Sequence, residues 1–346
     1  MWRVRGGLTK PRSRICRSFG MEKFDLLIIG GGPAGIACAI EAQRRGRSYV
    51  ILEKGVLVNS IYNYPINMTF FSTSEKLEIG NVPFISHGDK PKRREALEYY
   101  RRLQDSYDLN VRLYTEVTAL HRLDDGAYRA ETTRGEFYGD YVVVATGYYD
   151  TPRLMHVPGE DLPKVKHYYD DAHPYIGQRV LVIGAANSAC DVALETYYKG
   201  AEVTMAIRET EIYPRVKYWI RPNIENRIKE GSIRAYFETT VAAIREKEVD
   251  LNTPEGLVTI ENDFVLAMTG YKPDFPFLKK LGIHIPEEHP RIPQHDAETL
   301  ETNLPNVFVA GVVAAGLLTS KLFIENTRHH GAVILDAMGE REVVEV

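Results

Sequence analysis

Phe24-Asp-Leu-Leu-Ile-Ile29 runs straight into Gly30-Gly-Gly-Pro-Ala-Gly35, and this stretch decides the fold. A continuous apolar run is the mark of a strand buried on both faces, as in parallel sheets. The glycine turn after it opens a helix expected to reach about Arg45, and Tyr49-Val-Ile-Leu-Glu53 supplies the next strand. In the pattern Gly30-x-Gly32-x-x-Gly35 the first glycine permits the tight turn. The second lets a pyrophosphate approach the backbone, and the third lets helix and strand pack closely. The helix N-terminus then offers free N–H groups and a favourable dipole to the phosphates. Glu53 ends the second strand, where a carboxylate accepts bonds from ribose hydroxyls.

The same grammar returns in Arg179-Val-Leu-Val-Ile183, Gly184-Ala-Ala-Asn-Ser-Ala189, a helix to about Lys199, and Glu202-Val-Thr-Met-Ala206. Each unit is about thirty residues, the size of a right-handed βαβ crossover. After each, the pattern becomes β-rich. Val111–Leu123, Tyr128–Thr133 and Tyr141–Ala145 read as short strands, and Val241–Glu248, Leu257–Ile260 and Asp263–Met268 repeat the layout. The closing strands lead into matching Val144-Ala-Thr-Gly147 and Ala267-Met-Thr-Gly270. Prolines 152, 158 and 163 punctuate one connector; prolines 273, 276 and 286 punctuate the other. The tail reads as a strand, Val307–Ala310, a glycine turn, and a final helix from about Thr319 to Met338. The fold class is therefore α/β: two Rossmann-like dinucleotide-binding domains, the second inserted into the first.

The second loop differs from the first. Gly184-x-x-Asn187-Ser188-Ala189 has alanines where glycines stood, and Arg208, not a carboxylate, closes its second strand. A guanidinium there pairs bidentately with a ribose 2′-phosphate, which favours NADPH over NADH. Arg215 and Lys217 lie just beyond as further clamp candidates. Two nucleotide sites in one chain imply a resident flavin and a visiting nicotinamide.

The order GxGxxG, Ala-Thr-Gly, GxxNSA, Thr-Gly-Tyr and Val-Phe-Val-Ala-Gly resembles the two-dinucleotide-domain flavoproteins of the thioredoxin reductase type. Within them, Val58-Asn-Ser-Ile-Tyr-Asn-Tyr-Pro65, Thr69-Phe-Phe-Ser-Thr-Ser74, Val216-Lys-Tyr-Trp-Ile220 and Phe323-Ile-Glu-Asn326 are similar to the YpdA-type bacillithiol disulfide (bacilliredoxin) reductases. The resemblance covers about residues 22 to 339. It implies FAD in the first domain (21–165 and 273–346), NADPH in the second (166–272), and a homo-oligomer, dimer or tetramer, in a bacterial cytoplasm. The expected cofactor contacts are Gly30, Gly32, Pro33, Ala34, Gly35, Glu53 and Lys54, with Tyr62, Asn63, Val117, Thr146 and Gly147. Gly184, Asn187, Ser188, Ala189, Arg208, Arg215, Lys217 and Gly270 follow in the second unit, and Gly311, Val312, Ser320 and Lys321 in the tail. Two departures stand out. The wider superfamily ends its late motif in Gly-Asp, the Asp binding the flavin ribityl chain; here Val312 follows Gly311. Many YpdA-type members carry a cysteine after the loop proline; here that residue is Ala34.

Composition fits a soluble globular chain. Of 346 residues 44% are hydrophobic and 26% charged, and the net charge of −4 implies no nucleic-acid partner. The first twenty residues are basic, with Arg3, Arg5, Lys10, Arg12, Arg14 and Arg17 and no acid, and read as a disordered leader or a start upstream of the true Met21. The apolar stretch Val307 to Leu318 is too short to span a bilayer. Cys16, Cys38 and Cys190 form no Cys-x-x-Cys pair, disulfide framework or metal site, and point to a reducing, cytosolic compartment. Reduced flavin is thus expected to meet its oxidant directly, or through a partner's cysteine. The loop 58–74, with four aromatics, is expected to line the flavin ring. Lys321, at the start of the final helix, is the candidate to stabilise the anion of reduced flavin, and His330 the acid–base candidate.

The leading function is an NADPH-dependent FAD oxidoreductase acting on a small-molecule disulfide or a redoxin partner. A ferredoxin- or flavodoxin-NADP reductase, a flavin monooxygenase-like enzyme and a flavin-bound redox sensor remain open alternatives.

Overall fold

The computed structural model describes residues 14–16 and 21–344. The chain divides into two compact units: residues up to Tyr62, Ser72–Thr151 and Lys272 onward make the first; Asn63–Phe71 and Pro152–Tyr271 make the second.

In the first unit, Met21–Ile29 lies between Tyr49–Leu52 and Gly135–Val144, parallel to both, with Val111–Arg112 at one edge and Val307–Val309 beyond Gly135–Val144. Gly135–Val144 joins the parallel and antiparallel parts of one eight-stranded sheet. Its first half continues antiparallel into Tyr128–Thr132 and Val117–Arg122; its second half joins the parallel sheet. The stretch expected as one strand over Val111–Leu123 is therefore two, since Val111–Arg112 pairs with the Rossmann edge and Val117–Arg122 with the meander. Leu26, Leu27 and Ile28 are fully buried, as strands covered on both faces must be. The helices Pro33–Arg44 and His330–Val344 pack so closely that a Cβ on Gly331 would lie 2.9 Å from the Cys38 Cα.

The second unit holds a wholly parallel sheet in the order Arg234–Tyr236, Glu202–Ala206, Arg179–Ile183, Phe264–Ala267, Val165–Lys166. A separate antiparallel meander, Thr240–Ile244, Glu248–Thr253 and Gly256–Glu261, replaces the strand read over Val241–Glu248 with the ends of two.

Three expectations need correcting. The border drawn after residue 165 falls between Thr151 and Pro152, because Val165–Lys166 already belongs to the second sheet and Pro152 bridges to Tyr271. The final helix does not start at Thr319. The Asn326 side chain accepts from the Phe323 amide at 2.7 Å and donates to the Lys321 carbonyl at 3.2 Å, which delays the helix to Ile324–Thr327. The long helix follows only from His330. Of the basic leader, Arg14–Cys16 pairs antiparallel with Met21–Lys23, where no order was expected; the rest lies outside the described residues.

Candidate cofactor sites

Both glycine loops grow out of the same local physics. Gly30 and Gly184 have φ of +111° and +121°, and a Cβ on either would strike a carbonyl of the neighbouring closing strand, Ala145 at 2.6 Å or Met268 at 2.8 Å. Only glycine satisfies both constraints. Each loop then opens a twelve-residue helix, Pro33–Arg44 or Asn187–Tyr198, whose first turn has no side-chain cap. Uncapped N–H groups at a helix start are the donors that a phosphate takes.

The first loop is clamped from both sides. The Gly31 N–H donates to Glu53 Oε2 at 2.6 Å, and the Gly31 carbonyl accepts from the Val58 N–H at 3.0 Å. Glu53 also accepts from the Gly55 N–H at 2.8 Å, and its burial raises the carboxyl above its ordinary pKa. Neither Gly31 nor Val58 emerged from the sequence as a site residue. Val58 is a buried β-branched residue at φ +49°, a conformation that no sequence signal announces. Pro33 sits at the first helical position, and Ala34 follows it. Lys54 pairs with Asp150 at 2.8 Å.

The residues present fit a dinucleotide. Space opens beside Gly32, where an added Cβ would meet nothing within 4 Å, while a Cβ on Gly35 would collide with the Gly30 carbonyl oxygen. Thr146 Oγ1 is buried without a hydrogen-bond partner, an orphaned donor of the kind a ligand satisfies. Gly147 (φ +70°) places its missing Cβ 3.9 Å from Val312, and Gly311 (φ +81°) places its own 2.7 Å from the Ala34 methyl. The fingerprint loop, the Ala-Thr-Gly turn and the late Ala-Gly turn thus converge. Val117 is a buried member of the core.

In the second unit, strand register shifts the reading of Arg208. Ile29 pairs with Leu52 and Ile183 with Ala206, so the counterpart of Glu53 is Ile207, fully buried, and Arg208 matches Lys54. Arg208 is 80% exposed and pairs with Glu209 at 2.8 Å. Arg215 and Ser188 are exposed. Lys217 is no free clamp cation: it is buried, with its ammonium on Asp191 at 2.7 Å and 5.9 Å from the Trp219 ring centroid. Its amide donates to Asn187 Oδ1 at 2.8 Å, which occupies that side chain within the loop. Ala189 takes the place of the third glycine without strain, and Gly270 has φ +87°.

The loop 58–74 is divided. Tyr62 stays with the first unit, its carbonyl accepting from Arg93 Nε at 3.0 Å and its ring 5.5 Å from that guanidinium. Asn63–Phe71 belongs to the second unit, where Asn67 donates to Glu195 at 2.7 Å and Phe71 stacks on Trp219. Ser320 and Lys321 are exposed in a turn, so Lys321 does not begin a helix. His330 does, and its Nδ1 accepts from the Gly311 N–H at 3.2 Å.

Neither thiol is poised for chemistry. Cys38 and Cys190 are fully buried, and burial pushes both up to about 12, overriding any help from a helix start. Among the described residues no three His, Cys, Asp or Glu side chains gather as a metal site, and no helix is long and apolar enough to cross a membrane.

Two Rossmann-type units with paired fingerprint loops define a dinucleotide-dependent oxidoreductase. The chain matches the family model described as pyridine nucleotide-disulphide oxidoreductase over residues 27–311, and belongs to that family. It is 46% identical to the bacilliredoxin reductase Bdr of Bacillus subtilis (strain 168) over 91% of this chain and 98% of that protein. Among solved structures, the bacillithiol disulfide reductase Bdr (YpdA) of Staphylococcus aureus matches with TM-score 0.90 and 42% identity, covering 93% of this chain and 99% of that one. Its Bacillus cereus counterpart gives 0.89 and 45%, covering 92% and 100%. The enzyme class is a flavin-dependent pyridine nucleotide disulfide oxidoreductase with FAD and NADPH as cofactors.

Proposed function

We propose that this chain reduces bacillithiol disulfide, or the same thiol bound as a mixed disulfide on a redoxin protein, at the expense of NADPH and without a thiol of its own. The observation that carries the substrate class is the 42–46% identity to bacillithiol disulfide and bacilliredoxin reductases across nearly the whole chain. The balance is NADPH plus a proton plus a disulfide giving NADP⁺ and two thiols. When bound, FAD supplies the two-electron relay between nicotinamide and disulfide.

The chain's residues do the rest. The uncapped start of Pro33–Arg44 and the space beside Gly32 receive the FAD pyrophosphate, Glu53 holds the adenosine ribose, and Thr146 donates to the cofactor. The start of Asn187–Tyr198 receives the NADPH pyrophosphate, and Arg208 turns from Glu209 to the 2′-phosphate. With Ala34 in the loop and both described thiols buried, no cysteine on these elements stands between flavin and substrate. The working form is a homo-oligomer, dimer or tetramer, in the cytoplasm. Ferredoxin reduction or oxygenation receives less support, because the three relatives at 42–46% identity that match nearly the whole chain are named as bacilliredoxin or bacillithiol disulfide reductases.

NADPH oxidation by the yellow holoenzyme should be measured against bacillithiol disulfide, a bacillithiolated redoxin, glutathione disulfide, ferredoxin and oxygen. Turnover is expected fastest with one of the first two. Ferredoxin reduction outpacing every disulfide would reject the reading.

A further inference from the structure

The late turn Gly311–Ala315 is the wall on which the flavin motifs meet, yet it lacks the side chain that the wider superfamily uses there. The side chain of Val312 offers no hydrogen bond, and those of its neighbours Val313, Ala314 and Ala315 offer none either. The turn nevertheless has a fixed shape. Gly311 is buried, sits at φ +81°, and lies against Ala34, while Val312 faces Gly147. The preceding amide, Ala310, donates to the Val144 carbonyl at 2.9 Å and so continues the sheet. The Gly311 amide has left the sheet, and a buried amide without a partner is costly. Its partner is an imidazole nineteen residues away: His330 Nδ1, at 3.2 Å.

We propose that His330 is a positioning residue of the flavin site, its Nδ1 lone pair fixing the Gly311 amide and with it the turn that faces Ala34 and Gly147. This rests on the assignment of the first loop to FAD. Three observations agree. With Nδ1 accepting, the ring must be neutral and carry its proton on Nε2. Burial, with His295 and His329 adding like charge, pushes the imidazole down to about 4, so the neutral form is the one present at physiological pH. The ring is also held from behind: His330 opens the long final helix, and the next residue, Gly331, is pressed against Ala37 and Cys38 of the first loop helix. A shift of either helix would therefore move the imidazole and the turn together.

The test compares three holoenzyme variants by FAD dissociation constant, from fluorescence of released flavin on dilution, and by the visible flavin band. His330→Phe keeps a ring but removes the acceptor. His330→Asn restores an acceptor on a short side chain, and His330→Ala leaves room for added imidazole. His330→Phe is expected to weaken FAD about tenfold, the worth of one buried amide bond, and to shift the band. His330→Asn is expected to stay close to wild type in both, and imidazole to restore retention in His330→Ala. Wild-type affinity and spectrum in folded His330→Phe would overturn the proposal. So would equal losses in His330→Asn and His330→Phe, which would make the residue a packing element only. If His330→Phe does not fold, imidazole rescue of His330→Ala decides, and its failure counts against the proposal. A wild-type protein that binds no FAD at all would instead overturn the cofactor assignment beneath it.

Discussion

The two glycine loops share a plan and differ in how far each is satisfied before any ligand arrives. Gly30 and Gly184 make the same turn against the same kind of carbonyl. Beyond that, the first loop is cut away and the second is filled in. Gly31, Gly32 and Gly35 stand where the second has Ala185, Ala186 and Ala189. The buried acid Glu53 faces the first loop, and the buried apolar Ile207 faces the second. Thr146 Oγ1 has no partner, while its counterpart Thr269 donates to the Arg153 carbonyl at 2.6 Å. Asn187 already serves the Lys217 amide. A loop with open space and an orphaned donor suits a cofactor that stays. A loop that satisfies itself suits a nucleotide that comes and goes, because nothing is left unpaired when it leaves.

The largest effect is expected where the first loop is most open. Gly32→Val adds a branched side chain where a Cβ meets nothing of the protein, so folding should survive and only the pyrophosphate should lose its place. The variant should purify colourless with wild-type circular dichroism. A full complement of flavin would break the assignment of that space. The matching change in the second loop, Ala186→Val, should leave the protein yellow and weaken NADPH instead.

Next comes the cation that distinguishes the second site. Arg208 is exposed and pairs with its neighbour Glu209, so removing it costs the fold little. Arg208→Ala should raise KM for NADPH about ten- to a hundredfold more than for NADH, corresponding to about 1.5–3 kcal/mol for a charge-assisted contact. Equal effects on the two nucleotides would show that Arg208 does not read the 2′-phosphate.

What the sequence made legible follows the range of the forces involved. The strand–loop–helix units were readable because each depends on neighbours within thirty residues: a doubly buried strand must be apolar, and a tight turn must be glycine. Features set by strand register and by particular tertiary partners were not. Arg208 looked like the counterpart of Glu53 until strand register placed Ile207 there and matched Arg208 with Lys54. Lys217 read as a clamp cation because no sequence pattern announces Asp191, twenty-six residues earlier, as its partner. The loop 58–74 gave no sign that Asn63–Phe71 would join the second unit, since Phe71 stacks on Trp219, far away in sequence. His330 was visible as a histidine, but its bond to Gly311 required the final helix to begin eleven residues later than its composition suggested.

The threonine pair offers a smaller and more direct test of the contrast. Thr269→Val removes the donor to the Arg153 carbonyl, so urea unfolding should show a loss of about 1 kcal/mol with flavin retention unchanged. Thr146→Val removes a hydroxyl that has no protein partner, so the apoprotein should be no less stable, while FAD should bind several-fold more weakly. If both variants lose stability alike and neither loses flavin, Thr146 does not serve the cofactor and the contrast between the loops fails at this position.

The smallest effect concerns the thiols, and its smallness is the point. A cysteine relay needs a thiolate that can reach both flavin and substrate. Cys38 is the sixth residue of the first loop helix, under Gly331; Cys190 is the fourth residue of the second, its Sγ 3.7 Å from the Ala185 carbonyl. These are the places where a helix start lowers a thiol pKa, but burial outweighs that help and holds both near 12, so neither is a thiolate at neutral pH. The triple variant Cys16→Ser, Cys38→Ala, Cys190→Ala should therefore bleach its flavin with NADPH at close to the wild-type rate and keep its disulfide turnover. The alanines remove a sulfur atom each from well-packed cores, so a modest drop in melting temperature is expected without a change in rate. Loss of disulfide turnover with intact bleaching, traced to Cys38 or Cys190 by restoring one cysteine at a time, would mean that the helix comes open during catalysis to expose it. That outcome would replace direct reduction of the disulfide with a relay, and would leave the two-loop contrast standing for the nucleotides alone.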